Sequence, residues 1–264
     1  MLRLVATDLD GTLLHADGSV TERTRAALTA VEERGVTVVF VTGRPLRWMD
    51  ALWHHVGDHG LAICSNGGIV YDVAAQAVRE YRPIPAAVVL EVAERMRAGV
   101  PGTAFAVERT TGFAHEPDFR PRHGVPDDLV VGPLAEILDD HTVKLLARHE
   151  EMHPETFWQT TDGLVGDLLQ TTWSSVGALV EMSAAGVTKA STLELLCAEL
   201  GVGRDEVVAF GDMPNDLAML EWAGTSYAMA NAHTSVRELA AHLAPPHDED
   251  GVAVVLEQLF GLDR

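Results

Sequence analysis

The chain has 264 residues, 47% of them apolar and 22% charged. These are the proportions of a folded globular protein, not of a disordered, collagenous or low-complexity chain. Asp and Glu number 39 against 19 Lys and Arg, a formal charge of −20. Such a chain repels phosphate backbones and anionic lipid, which argues against nucleic-acid and membrane-surface partners.

A small anionic substrate stays open, because one bound cation and a few fixed donors reverse the potential locally. The two cysteines, Cys64 and Cys197, have neither metal-type spacing nor the number for a disulfide framework, so they read as buried thiols in a reducing compartment. No apolar run approaches the roughly 20 residues of a membrane span. The opening MLRLVATDLD reaches two aspartates too early for a signal peptide. A cytoplasmic protein is expected.

LRLVAT (Leu2–Thr7) is a short apolar, β-branched run, the pattern of a strand buried on both faces. Thr21 to Arg34 reads as a helix capped by Ser19 or Thr21 and stopped at Gly35. VTVVFVT (Val36–Thr42) is a second buried strand. A helix is expected from Pro45 to about Val56, then a strand at Leu61–Cys64. This alternation implies right-handed crossovers and a parallel sheet. Ser65-Asn66-Gly67-Gly68 is a turn, and IVYD and AVREY read as hairpin strands.

From residue 83 the rhythm changes to an α+β mixture. Helices are expected at Pro85–Arg97, Pro133–Asp139 and Pro154–Asp167. Strands are expected at Ala104–Arg109, Val143–Ala147, Thr171–Ser175 and Ala178–Met182, with Gly- and Pro-rich turns over 99–126. The α/β rhythm returns with a helix at 189–200, a strand at Val207–Phe210, a helix at Asn215–Trp222, a strand at Ser226–Ala230, and helices near 235–242 and 251–260. The expected fold is α/β: a Rossmann-like parallel-sheet core from 1–82 and 185–264, with 83–184 inserted as an α+β cap domain.

Four local patterns carry chemistry. Asp8-Leu9-Asp10-Gly11-Thr12 follows the first strand directly. In an open parallel sheet that places two carboxylates at the ligand-binding edge. One acid suits a nucleophile and metal ligand, the other a general acid and base; a solvated acidic turn is the bland alternative. Thr42-Gly43-Arg44 ends the second strand, where a hydroxyl and backbone N–H groups suit a phosphate, although such turns are common. Gly211-Asp212-Met213-Pro214-Asn215-Asp216 adds two carboxylates and an amide after another strand. Hard divalent cations take such oxygen ligands, while a plain helix cap is the rival. Lys189 opens a helix, where a cation opposes the macrodipole unless an anion lies nearby; an ordinary surface lysine is the alternative.

In this order (acid pair, Thr, Lys, acid cluster) the chain resembles the haloacid dehalogenase superfamily, and within it the Cof-type branch with a large cap between the Thr and Lys motifs. The resemblance extends to Ser65-Asn66-Gly67-Gly68, to Leu179–Met182 followed by Gly186-Val187-Thr188-Lys189, and to Asp250-Gly251-Val252-Ala253. It implies a Mg²⁺-dependent phosphatase of small phosphorylated metabolites, sugar phosphates first, working through an aspartyl-phosphate.

By resemblance Asp8 is the nucleophile, and Asp10 protonates the leaving alcohol and then activates water. Mg²⁺ is held by Asp8, the Asp10 carbonyl and Asp212, with Asp216 in support. Leu9, Thr42, Gly43, Lys189 and Asn215 bind the phosphoryl group. Arg44 meets either a substrate anion or a core carboxylate. The cap implies an open–closed cycle hinged near 82–83 and 184–186. A phosphotransferase or phosphomutase and a silent phospho-ligand sensor are the alternatives; a dehalogenase is disfavoured by the second aspartate. Asn66 reads as a turn former or a substrate contact. His54-His55, His149 and His153 read as surface or cap histidines, and Trp158 and Trp173 as cap core. Glu108, Arg109 and His115 are cap candidates.

Overall fold

The computed structural model describes residues 1–49, 52–53, 60–122, 129–173 and 177–262. It divides into two compact units, one made of Met1–Arg79 with Lys189–Arg264, the other of Glu80–Thr188. The strands in chain order are β1 (Leu4–Thr7), β2 (Thr37–Val41), β3 (Leu61–Cys64), β4 (Ile69–Asp72), β5 (Ala77–Tyr81), β6 (Ala104–Arg109), β7 (Gly112–His115), β8 (Val130–Val131), β9 (Thr142–Arg148), β10 (Leu169–Thr172), β11 (Leu179–Ala184), β12 (Val207–Gly211), β13 (Thr225–Met229) and β14 (His242–Ala244). The helices are α1 (Glu22–Glu32), α2 (Ala86–Gly99), α3 (Leu134–Ile137), α4 (Pro154–Val165), α5 (Lys189–Leu200), α6 (Leu217–Trp222), α7 (Thr234–Leu239) and α8 (Gly251–Phe260).

The larger sheet runs β14-β13-β12-β1-β2-β3-β4-β5. It is parallel from β14 to β3, and β4 turns back antiparallel on β3. Every residue of β1 and β12 is buried, as both faces of a parallel sheet require when crossover helices cover them. In α1 the Thr21 hydroxyl accepts the Thr24 N–H at the N-cap, and Thr24, Ala27, Leu28 and Val31 form the buried stripe at helical spacing.

The C-terminal helix is tied to this end of the chain. Asp250 caps α8 from the left-handed region (φ 56°). Its Oδ1 accepts hydrogen bonds from Thr21 at 2.7 Å, His15 Nε2 at 2.9 Å and Thr24 at 3.3 Å. These donors outweigh the burial that would raise the Asp250 carboxyl, and hold it below the usual aspartate value.

The second unit has one sheet, β10-β11-β9-β6-β7-β8. Phe105, Val107, Leu145, Ala147, Val180 and Met182 share one face, packed with Val92, Met96 and Phe157 of α2 and α4. The other face carries a smaller cluster of Ala104, Ala106, Phe113, Phe119 and Leu146. Beside it Lys144 donates to Glu181 at 2.6 Å. Glu108 and His115 are buried, and Arg109 pairs with Asp139 at 3.3 Å. Trp158 and Trp173 stack within this unit, 6.4 Å between centroids. The His149 ring lies 3.2 Å from the Pro101 carbonyl.

Several boundaries differ from the sequence reading. The helix expected near 235–242 ends at Leu239, because Ala240 turns extended (ψ 143°) and the Ala241 N–H is taken by the Ser226 hydroxyl, freeing 242–244 to pair with β13 as an edge strand. Pro45 is followed by a single 3₁₀ turn, Leu46–Trp48, closed by Met49; most of the rest of the expected helix, with His54 and His55, lies outside the described residues. The expected strand at Thr171–Ser175 starts earlier, at Leu169, and ends at Thr172, with 174–176 outside the described residues. Gly112–His115 and Val130–Val131 form strands inside stretches read as turns or left unassigned. Among the described residues no helix is long and apolar enough to cross a membrane. Cys64 and Cys197 are both free and buried, and burial pushes the Cys197 thiol up to about 11.

Candidate active site

The register of the parallel strands builds the site. Thr7 lies level with Phe40 on one side and Phe210 on the other. The three strands therefore end together, and the residues after them meet at the carboxyl edge. The Asp8 N–H still reaches the Phe210 carbonyl at 3.0 Å, so Asp8 is fixed as the last rung of the ladder. The chain then coils, with the N–H groups of Thr12, Leu13 and Leu14 all turned onto the Leu9 carbonyl.

Asp8, Asp212 and Asp216 offer carboxylate oxygens within 4.8 Å of one another, all three residues buried. Lys189, 1% exposed, stands among them: Nζ donates to Asp8 Oδ1 at 2.8 Å and to Asp216 Oδ1 at 2.7 Å. The cation at the start of α5 has its anions, and the surface-lysine reading is set aside. The remaining Asp216 oxygen, Oδ2, accepts the N–H groups of Asp212 and Met213 at 3.0 and 3.1 Å. Asp216 is thus occupied as an organiser of the loop and of Lys189. Asp212 accepts from the Thr12 hydroxyl at 3.1 Å.

Three buried carboxylates face one ammonium, and the electrostatics follow. Burial raises Asp8 well above the usual aspartate range; Lys189 opposes this, and Asp216 and Asp212 add to it. Burial, with Asp216 second, pushes Asp212 up to about 6, against Lys189 and the Thr12 hydroxyl. Lys189 is held charged, its desolvation outweighed by Asp216 and Asp8. An all-oxygen set with surplus negative charge fits a hard divalent cation.

The loop from Asp10 to Thr12 packs tightly against this cluster. A Cβ on Gly11 would lie 2.3 Å from Asp212 Oδ2, and Gly11 has φ 73°. Glycine here lets the backbone reach the acids. The Gly11 carbonyl is held by Asn231 Nδ2 at 2.8 Å. Thr42 is fully buried, its N–H on the Ile63 carbonyl and its hydroxyl accepting the Arg44 N–H at 3.0 Å. The Arg44 guanidinium, read from sequence as reaching substrate or a core carboxylate, lies on Asp10.

Asp8, Leu9, Asp10, Thr42, Gly43, Arg44, Lys189, Asp212, Asn215 and Asp216 thus belong to one unit, all but Lys189, which opens α5, following the adjoining strands β1, β2 and β12. Two further neighbours of the cluster, Thr12 and Asn231, are not singled out by the sequence reading. Thr12 was visible only as the end of D-L-D-G-T. Asn231 carries no local signal. Asn66, read from sequence as a turn former or a substrate contact, accepts at Oδ1 from Asn215 Nδ2 at 3.1 Å.

A family model described as haloacid dehalogenase-like hydrolase matches residues 5–256. The chain belongs to the haloacid dehalogenase-like hydrolases. Within them it is of the Cof type. It is 28% identical to the 5-amino-6-(5-phospho-D-ribitylamino)uracil phosphatase YitU of Bacillus subtilis, over 98% of both chains. It is 29% identical to the pyridoxal phosphate phosphatase YbhA of Escherichia coli, over 95% of this chain and 96% of that one. Among solved structures, BT1666 of Bacteroides thetaiotaomicron, described as a phosphatase of this superfamily, superposes with a TM-score of 0.84 at 25% identity, covering 99% of this chain and 96% of its own. This haloacid dehalogenase-like hydrolase thus has named phosphatases among its relatives, and its fold is an α/β sheet with an inserted α+β unit.

Proposed function

We propose that the chain hydrolyses small phosphomonoesters, sugar phosphates first among them, through a phospho-enzyme on Asp8. The reading rests above all on Lys189 bonded to Asp8 and Asp216 beside Asp212 at the carboxyl ends of adjoining strands. Asp8, the Asp10 carbonyl and Asp212 are the residues that would hold Mg²⁺. When bound, the ion neutralises phosphoryl charge and keeps the nucleophile ionised.

The chain's own residues do the rest. Lys189, the Thr42 hydroxyl, the N–H groups of Leu9 and Gly43, and the Asn215 amide bind and orient the phosphoryl oxygens. An Asp8 oxygen attacks phosphorus, the bond to the ester oxygen breaks, and Asp10 gives its proton to the departing alcohol. Water then attacks the aspartyl-phosphate, Asp10 takes the proton from that water, and the bond between phosphorus and Asp8 breaks to release inorganic phosphate. Asp216 keeps Lys189 and the Asp212 backbone in place.

The test is Asp8→Asn, assayed with Mg²⁺ on sugar phosphates, pyridoxal phosphate and a ribitylamino-type phosphate. Wild type is expected to release phosphate, and the variant to fold and lose nearly all turnover. Turnover retained in the variant refutes the nucleophile assignment.

A further inference from the structure

The turn after β3 holds two consecutive non-glycine residues in the left-handed region, Ser65 at φ 54° and Asn66 at φ 56°, both buried. L-residues avoid this region, with Asn among the few that tolerate it. Strain of this kind persists where surrounding contacts over-determine it, and it gathers at functional sites. Here the contacts run to two loops and one helix of the active site. The Ser65 N–H donates to the Arg44 carbonyl at 2.9 Å, and the Asn66 N–H to the Thr42 carbonyl at 3.0 Å. The Thr192 hydroxyl, on the helix that begins with Lys189, donates to the Gly67 carbonyl at 2.9 Å. Asn66 Oδ1 accepts from Asn215 Nδ2 at 3.1 Å.

The side chain of Asn66 fills the space between its neighbours. A Cβ on Gly43 would stand 3.0 Å from Asn66 Oδ1 and 3.7 Å from Asn215 Nδ2. Among the described residues Asn66 is the hydrogen-bond partner of the Asn215 carboxamide, whose Oδ1 is buried with none. Among the described residues no other hydrogen bond fixes the orientation of that amide. The backbone could be met by glycine; the carboxamide could not.

We infer that Asn66 is a positioning residue of the phosphoryl site: its carboxamide orients Asn215, and its turn seats the Thr42–Gly43 loop. The inference rests on the phosphatase reading and extends it to a residue outside the four motifs. It separates two roles that an alanine substitution would confuse. Asn66→Gly keeps the left-handed backbone and deletes only the amide. Asn66→Asp keeps the oxygen that Asn215 donates to and also tolerates the backbone.

The measurements are inhibition by inorganic phosphate in the presence of Mg²⁺, kcat and KM on the best substrate of the panel, and thermal melting. They are made for Asn66→Gly, Asn66→Asp, Asn215→Ala and the two double variants. Asn66→Gly is expected to melt with wild type and to raise the phosphate inhibition constant and KM about tenfold. On the Asn215→Ala background the glycine variant is expected to cost nothing further. Asn66→Asp is expected to retain its coupling to Asn215, so that Asn215→Ala still costs affinity in that background. Should Asn66→Gly fail to fold, the Asn66→Asp cycle decides alone.

Unchanged phosphate affinity in Asn66→Gly overturns the inference, as do losses that multiply with those of Asn215→Ala, or an Asn66→Asp variant uncoupled from Asn215. A wild type that neither hydrolyses phosphate esters nor binds inorganic phosphate overturns the phosphatase reading, and this inference with it. An active wild type with an indifferent Asn66 overturns this inference alone.

Discussion

Arg44 donates two hydrogen bonds of 2.6 Å, one to each carboxylate oxygen of Asp10. The parallel register makes this pairing: Thr7 is level with Phe40, so three residues on, Asp10 stands beside the Gly43–Arg44 turn. Asp10 is 58% exposed in its side chain, so the pair adds little stability. Its effect is orientation, because a guanidinium fork holds a carboxylate in one plane. Lysine cannot reproduce the fork. Arg44→Lys is expected to lower kcat roughly ten- to a hundredfold on esters whose leaving group is an alkyl alcohol. Acetyl phosphate and p-nitrophenyl phosphate, whose leaving groups need no proton, are expected to lose far less. Equal losses on both kinds of substrate would remove the link between Arg44 and proton delivery.

Lys189 is the only ammonium bonded to the buried acids among the described residues. Removing one partner of a buried ion pair strands the other charges in a poor dielectric. Lys189→Met is expected to lose about 3–5 kcal/mol of unfolding free energy in metal-free buffer near neutral pH, read from urea titration. A loss below about 1 kcal/mol would mean that the cluster behaves as a surface pair.

Mg²⁺ is expected to stabilise the wild type by about 2.7 kcal/mol at a hundred times its dissociation constant, and chelation to abolish turnover. Gly11→Ala would bring a methyl group to 2.3 Å from Asp212, forcing that carboxylate aside. The variant is expected to lose most of the Mg²⁺-induced rise in melting temperature, and so is Asp212→Asn. An unaltered rise in both would place the ion elsewhere.

Asp250 supplies a pH dependence away from the cluster. Its folded carboxyl lies below the unfolded value of 3.8, the hydrogen bonds from Thr21 and His15 outweighing burial. A depressed acid contributes stability above its unfolded pKa and loses it as the pH falls through the folded one. Melting temperature is therefore expected to fall below about pH 4 more steeply in wild type than in Asp250→Asn, which tolerates the same left-handed backbone. Parallel curves would show that this network carries no proton linkage.

The sequence made the core legible where burial is complete. Leu4–Thr7, Val36–Thr42 and Val207–Phe210 are apolar runs with chemistry directly behind them, and a parallel sheet leaves such runs little alternative. Short edge elements were not legible: His242–Ala244 is too brief to carry a period, and Val130–Val131 owes its pairing to β7. The carboxylates, Thr42 and Lys189 were readable because their types and order are unusual. The partner of Arg44 was undecidable along the chain, since only strand register brings it to Asp10. Asn66 was legible as a turn former or a substrate contact, but its bond to Asn215, 149 positions away, is set only by the fold.

The position of β1 has a further consequence, for assembly. It lies between β2 and β12, so one of its edges has no neighbour until some two hundred residues have left the ribosome. During that interval a strand that is wholly buried in the finished fold presents unpaired amides, the kind of template on which nascent chains associate wrongly. The closing of that edge by Val207–Gly211 is also what delivers Asp212 to Asp8. No nascent chain that stops short of Asp216 can contain the completed acid cluster.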